Sequence, residues 1–95
     1  MEFEWDENKA RANLGKHNVS FELASEIFFK EAVLSFEDER FDYGEMRKIA
    51  LGQVEGVVLY VVFTVREQRI RIISARKATR KEEQRYYEYF QKRAT

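Results

Sequence analysis

Apolar residues change their spacing several times along this chain, and each change marks an element. Phe3-Glu4-Trp5 alternates and predicts a short strand. Asp6 then suits a helix N-cap, because its carboxylate can accept from a free N–H of the first turn. The helix runs to about His17, with Ala10, Leu14 and His17 at i, i+4 and i+7. Asn18 is a turn residue. Ser20 can cap a second helix whose stripe is Ala24, Ile27 and Phe28, with Phe21 and Leu23 beside it.

Past residue 30 the period falls to two. Ala32 to Phe36 and Met46 to Val54 read as strands, separated by a polar connection over 37–44. Glu55-Gly56 is a hairpin signal. Val57 to Arg66 is the most strand-like run, Glu67-Gln68 turns the chain, and Arg69 to Arg76 returns. Thr79-Arg80-Lys81-Glu82 fits a capping box, in which Thr79 and Glu82 each bond the other's free N–H. A terminal helix starts near Arg80, with Tyr86, Tyr89 and Phe90 and then Ala94 on its apolar side. The order β-α-α-β-β-β-β-α predicts an α+β domain, an antiparallel β-sheet packed against helices. Composition marks no second domain over residues 1–95.

Composition narrows the chemistry. With no cysteine and a single histidine, disulfides, thiolate metal sites and multi-histidine metal sites are excluded, and no cofactor or metal is expected. No apolar run approaches the roughly 20 residues that span a bilayer, and the acidic start lacks a secretory core; no membrane association and a cytoplasmic location are expected. The net charge is zero, but its distribution is lopsided. Residues 1–64 carry 7 Lys/Arg against 13 Asp/Glu, and residues 65–95 carry 10 against 4. That imbalance can bind a polyanion at one end.

The basic residues fall in a pattern. A two-residue hairpin at Glu67-Gln68 pairs Arg66 with Arg69, Thr64 with Arg71 and Val62 with Ile73. One face then carries Val57, Leu59, Val61, Phe63, Val65, Ile70 and Ile72, and belongs against helices. The other presents Tyr60, Thr64, Arg66, Arg69 and Arg71. Arg66 opposite Arg69 is unfavourable unless an anion sits between them. Guanidinium groups beside an aromatic ring suit phosphate binding with base stacking; the plainer reading is a solvated face. Arg76 and Lys77 follow at the strand end. Strict alternation aims Arg76 at the core side, unless the strand ends or bulges at Ser74-Ala75.

Two residues are candidates for proton transfer. Histidine is the side chain suited to it near neutrality; His17 is either a general acid or base or a packed helix-terminal residue. Glu45, after Gly44, is the other candidate base, or an exposed carboxylate paired with Arg47 or Lys48. Tyr86, Tyr87, Tyr89 and Phe90 can stack on bases or fill the core, and Trp5 reads as a core anchor.

These residues together resemble the BrnT family. Phe3-Glu4-Trp5-Asp6, Lys9, Asn13, Lys16-His17, Val19-Ser20-Phe21 and Ala24 match its N-terminal pattern; Gly44-Glu45 with Arg47 matches its middle. Arg71-Ile72-Ile73-Ser74-Ala75-Arg76-Lys77-Ala78-Thr79, with Glu82 or Glu83 and Tyr86, is similar to its most distinctive segment. The resemblance implies a RelE-like fold and the toxin half of a type II toxin–antitoxin pair: a metal-independent endoribonuclease that inhibits translation. It also implies a BrnA-like ribbon-helix-helix antitoxin in a 2:2 assembly that binds operator DNA. On that reading Arg66, Arg71 and Arg76 stabilise phosphate, His17 or Glu45 moves protons, and Lys16, Arg47, Thr64, Arg69 and Lys77 bind RNA. The alternative is a non-catalytic module that binds nucleic acid or protein through the same basic face.

Overall fold

The computed structural model describes residues 1–39 and 44–93; Ala94 and residues 40–43 of the polar connection lie outside the described residues. The elements are β1 (Glu2–Glu4), α1 (Glu7–His17), α2 (Phe21–Ser25), a 3₁₀ turn (Glu26–Phe29), β2 (Val33–Glu37), β3 (Lys48–Val54), β4 (Val57–Arg66), β5 (Arg69–Lys77) and α3 (Arg80–Arg93). Five strands form one sheet in the order β1-β5-β4-β3-β2.

The sheet is mixed, which corrects the antiparallel expectation. Strands β2 to β5 are an antiparallel meander, but β1 runs parallel to β5, with Glu2 beside Arg69, Phe3 beside Ile70 and Glu4 beside Arg71. A three-residue strand followed by a helix has no neighbour in sequence to pair with, so it takes the open edge of β5. Opposite charges on one face and apolar contact on the other fix that register. Phe3 also meets Phe28 and Phe29, each at 5.7 Å between ring centroids.

Local chemistry sets the helix ends as expected. Asp6 Oδ1 accepts from Lys9 N, Ser20 Oγ accepts from Leu23 N, and Asn18 closes α1 in the left-handed region at φ 57°. The Asp6 carboxyl is held below its ordinary pKa by the Lys9 backbone N–H, against the smaller opposing effect of burial. The Thr79–Glu82 capping box is complete: Thr79 N donates to Glu82 Oε1 and Glu82 N donates to Thr79 Oγ1. Both hairpins turn on paired positive φ values, 51° and 78° at Glu55-Gly56 and 50° and 66° at Glu67-Gln68. The second helix is shorter than its pattern implies and finishes as the 3₁₀ turn, which tucks Ile27 against β3. A Cβ on Gly52 would stand 2.7 Å from Ile27 Cβ, so only glycine permits this approach.

The sheet separates two apolar layers. Under α1 and α2 lie Val19, Phe21, Ala24, Ile27, Leu59, Val61, Phe63, Ile72 and Ala75, with Trp5 edge-on to Phe21 at 5.9 Å. Under α3 lie Ile49, Leu51, Val58, Tyr60 and Val62 with Tyr86. Tyr86 donates to Ala32 O at 2.8 Å, and burial raises its phenol pKa. Three positions expected on apolar faces are exposed, among them Tyr89 of α3 at 36%. Val65, close to the tip of the β4–β5 hairpin, is 54% exposed. Leu14 is 47% exposed because α1 turns Ala10 and Asn13 inward instead.

Candidate functional site

The decisive local feature is a β-bulge in β5. From the Glu67-Gln68 turn the register runs as expected, Arg66 with Arg69, Thr64 with Arg71 and Phe63 with Ile72. It then shifts: Val62 faces Ser74, Val61 faces Ala75 and Tyr60 faces Arg76. Ile73 is the extra residue, so the expected pairing of Val62 with Ile73 is corrected. A bulge resets the alternation of everything after it. Ala75 therefore points under α1 and Arg76 points to the α3 face, where strict alternation would have hidden it. The bulge sits just before the expected Ser74-Ala75 position and has the effect required of it.

Asn13 stabilises this departure. Beyond Arg71, β1 no longer covers the outer edge of β5. The Asn13 side chain takes its place, donating from Nδ2 to Ala75 O at 2.8 Å and to Val19 O at 3.0 Å, and accepting from Ala75 N at 3.1 Å. Asn13 is buried, and a buried amide satisfied three times over is strongly anchored. The hydrophobic pattern of α1 could not reveal it, because the one buried residue of that helix is polar.

Carrying the registers across the sheet places the charged residues in rows on the α3 face. Nearest the hairpin tip come Glu2, Arg69 and Arg66. Next come Glu4, Arg71 and Thr64, with Arg47 following by extension of the β3–β4 register. Then come Ser74, Val62 and Ile49, and finally Arg76, Tyr60 and Leu51. Helix α3 covers the apolar rows. In the rows nearer the tip Arg66 and Arg69 are exposed, Arg71 and Arg47 are half-buried and Thr64 is buried.

The arginines of the ladder are not a bare cationic surface. Arg69 Nε bonds Glu2 at 2.9 Å, and that hydrogen bond raises the pKa of Arg69. Arg71 Nη1 reaches Glu4 at 3.4 Å. Arg66 is exposed and pairs with no carboxylate among the described residues. Arg47 Nε lies 3.7 Å from the Glu45 carboxylate, which is exposed; this is the paired arrangement considered for Glu45. Thr64 is buried and donates to Met46 O at 2.8 Å, so its hydroxyl fixes the start of β3 beside the ladder. No sequence signal indicated that β1 would align its two glutamates with two of the arginines.

Arg76 is held differently. Its Cζ lies 3.9 Å from the centroid of the buried Tyr60 ring. Its Nη1 and Nη2 bond the two carboxylate oxygens of Glu82 at 2.8 and 3.1 Å, and Nη1 also reaches Lys77 O at 3.2 Å. Burial works against the charged form of Glu82. Hydrogen bonds from Arg76 and Thr79 outweigh it and hold the carboxyl below its usual pKa. Bidentate pairing and ring stacking fix a guanidinium in plane and position.

The two candidate proton carriers fall at opposite ends. Helix α1 starts at Asp6, which feels the charge of Arg71, and reaches Ala75 at Asn13, so it runs alongside β5 in the same direction. Half-buried His17 and exposed Lys16 lie one turn beyond Asn13, at the end of α1. Glu45 belongs to the hairpin-tip end, roughly 20 Å from Arg76 at about 3.3 Å per residue along the strands. One face thus carries two groups of cations, Arg66, Arg69 and Arg71 toward the hairpin tip and Arg76, held by Glu82 and Tyr60, farther along the strand.

Among the described residues, no helix is long and apolar enough to cross a membrane. The family model described as the ribonuclease toxin BrnT of type II toxin–antitoxin systems matches residues 5–82. No curated protein matches the sequence.

Proposed function

Because this chain belongs to the BrnT family of type II toxin–antitoxin ribonuclease toxins, we propose that it cuts RNA on the α3 face, at Arg76. The observation that carries this reading is the bulge at Ile73. It turns Arg76 onto the same face as Arg66, Arg69 and Arg71, and Asn13 holds the strand in that register.

The chemistry needs no metal, since RNA carries its own nucleophile. The 2′-oxygen attacks the adjacent phosphorus and its proton passes to a base; the bond from phosphorus to the 5′-oxygen breaks, and that oxygen takes up a proton. The products are a 2′,3′-cyclic phosphate and a 5′-hydroxyl. Charge builds on the non-bridging oxygens, and a preorganised cation there lowers the barrier. Arg76, braced by Glu82 and Tyr60, is that cation. His17 moves the proton from the α1 side of the β5 edge, because Asn13 ties the later part of α1 to Ala75, the neighbour of Arg76, whereas Glu45 lies with Arg47 at the far end. Lys16 and Lys77 take the phosphate on one side of the cut from the α1 side of the β5 edge, since Lys77 pairs with Leu59 of that layer. Arg66, Arg69, Arg71 and Arg47 follow the strand on the other.

The fold reading that accompanies this is RelE-like, with a β-meander between helices. The enzyme acts in the cytoplasm and inhibits translation. A BrnA-like ribbon-helix-helix antitoxin neutralises it in a 2:2 assembly and carries the pair to operator DNA, and antitoxin carboxylates compete for the same arginines.

Expression in growing cells tests the assignment. Induction of the unaltered chain arrests growth, and Arg76→Ala, with the purified protein still folded, abolishes the arrest. A folded Arg76→Ala protein that still arrests growth overturns the assignment.

A further inference from the structure

The carboxylate of Glu82 does two things at once. Its Oε1 accepts from Thr79 N at 2.8 Å, closing the cap of α3, and both oxygens hold Arg76. A cap alone does not require this. Glutamine closes a capping box as well as glutamate, and its single acceptor oxygen cannot grip a guanidinium from both sides. The arrangement does fix direction. The bulge brings the Arg76 backbone to the α3 face, the Tyr60 ring sets the height of the guanidinium, and Glu82 sets its rotation.

We propose that Glu82 is the positioning residue for Arg76: it spends one carboxylate on locking the guanidinium over Tyr60, and so makes the seating of α3 a condition of cleavage. The inference rests on the ribonuclease reading of this face. It adds that the terminal helix is part of the active arrangement, and that anything drawing α3 off the sheet frees Arg76 and stops cleavage without touching a reacting group.

The full-length protein and a short fluorescent RNA provide the test, with Arg side-chain ¹⁵N spectra as the second readout. In the unaltered chain the Arg76 Nη protons should appear as separate, slowly averaging signals. Glu82→Gln should collapse them to one averaged signal and lower kcat roughly 10- to 100-fold, with KM within about twofold, as expected when a catalytic group is misplaced by a fraction of an ångström to 1 Å. Thr79→Ala removes the other half of the cap and leaves the Arg76 pair intact, so it should lower Tm by about 4–8 °C while kcat stays unchanged.

Full kcat in Glu82→Gln with an averaged Arg76 signal overturns the proposal. So does an already averaged Arg76 signal in the unaltered chain, and that measurement decides the matter if Glu82→Gln folds poorly. Arg76→Ala separates the two levels. If it cleaves normally, the ribonuclease site itself is wrongly placed; if it is inactive while Glu82→Gln is fully active, only the positioning role falls.

Discussion

Asn13→Ala should be among the most damaging single substitutions on α1. The side chain makes three hydrogen bonds inside the protein, two to Ala75 and one to Val19 O, at 2.8 to 3.1 Å. Each buried hydrogen bond is worth about 1 kcal/mol net. The alanine variant also strands the N–H and C=O of Ala75, a residue with no solvent exposure, where an unmet polar group adds its own desolvation cost. The expected loss is about 3–4 kcal/mol. Domains of this size hold about 5–15 kcal/mol in all, and each kcal/mol shifts Tm by about 4–8 °C, so Tm should fall by roughly 15–25 °C.

Urea and thermal unfolding followed by circular dichroism measure the loss, and hydrogen exchange at the Ala75 amide locates it. A loss under about 1 kcal/mol, or an Ala75 amide as protected as before, would refute the role given to Asn13. Asn13→Asp sharpens the test. It keeps the acceptor for Ala75 N but aims a carboxylate at two carbonyl oxygens. Burial and those carbonyls raise the folded-state pKa of the new acid above its unfolded value, so this variant should be least stable near neutrality and gain stability as pH falls through the raised value.

Glu2→Gln with Glu4→Gln frees Arg69 and Arg71 and should strengthen binding to an uncleavable 2′-methoxy RNA several-fold at low salt. Its salt dependence should steepen by about 0.7 per added phosphate contact; unchanged binding would mean that the ladder does not track the RNA. Glu67→Asn with Gln68→Gly suits the positive φ values of that turn and should add about 1–2 kcal/mol in urea unfolding. Gly52→Ala should cost about 1–3 kcal/mol, because the new Cβ meets Ile27 at its Cβ and not at a flexible tip; a neutral result would mean the 3₁₀ turn yields easily.

Much of this architecture is local and therefore legible in sequence. The caps at Asp6, Ser20 and Thr79, the turns at Glu55-Gly56 and Glu67-Gln68, and the alternation in β4 each depend on a few adjacent residues. What escaped depends on partners far apart in the chain. The parallel docking of β1 is set 67 residues away, at Arg69 and Arg71. Without it the ladder reads as bare cations; with it, two of the arginines carry glutamates.

Asn13 escaped for the opposite reason. An apolar stripe on α1 points to Leu14, whereas the residue that anchors α1 to β5 is an amide. The bulge stands between these cases. Alternation exposed the conflict at Arg76 and named the remedy, but only the pairing of β4 with β5 places the extra residue at Ile73. The Arg76–Glu82 pair is hidden inside the capping box, because the cap accounts for Glu82 without reference to the strand before it.

The central claim is that Arg76, turned outward by the bulge, cleaves RNA through the RNA's own 2′-hydroxyl. Incubating the purified protein with end-labelled RNA in EDTA, beside Arg76→Ala, tests it most directly. Cleavage by the unaltered chain to 2′,3′-cyclic phosphate ends, with loss of roughly 100-fold or more in Arg76→Ala, is the predicted result. Equal cleavage by both proteins, or none by the unaltered chain until a metal ion is added, would contradict it.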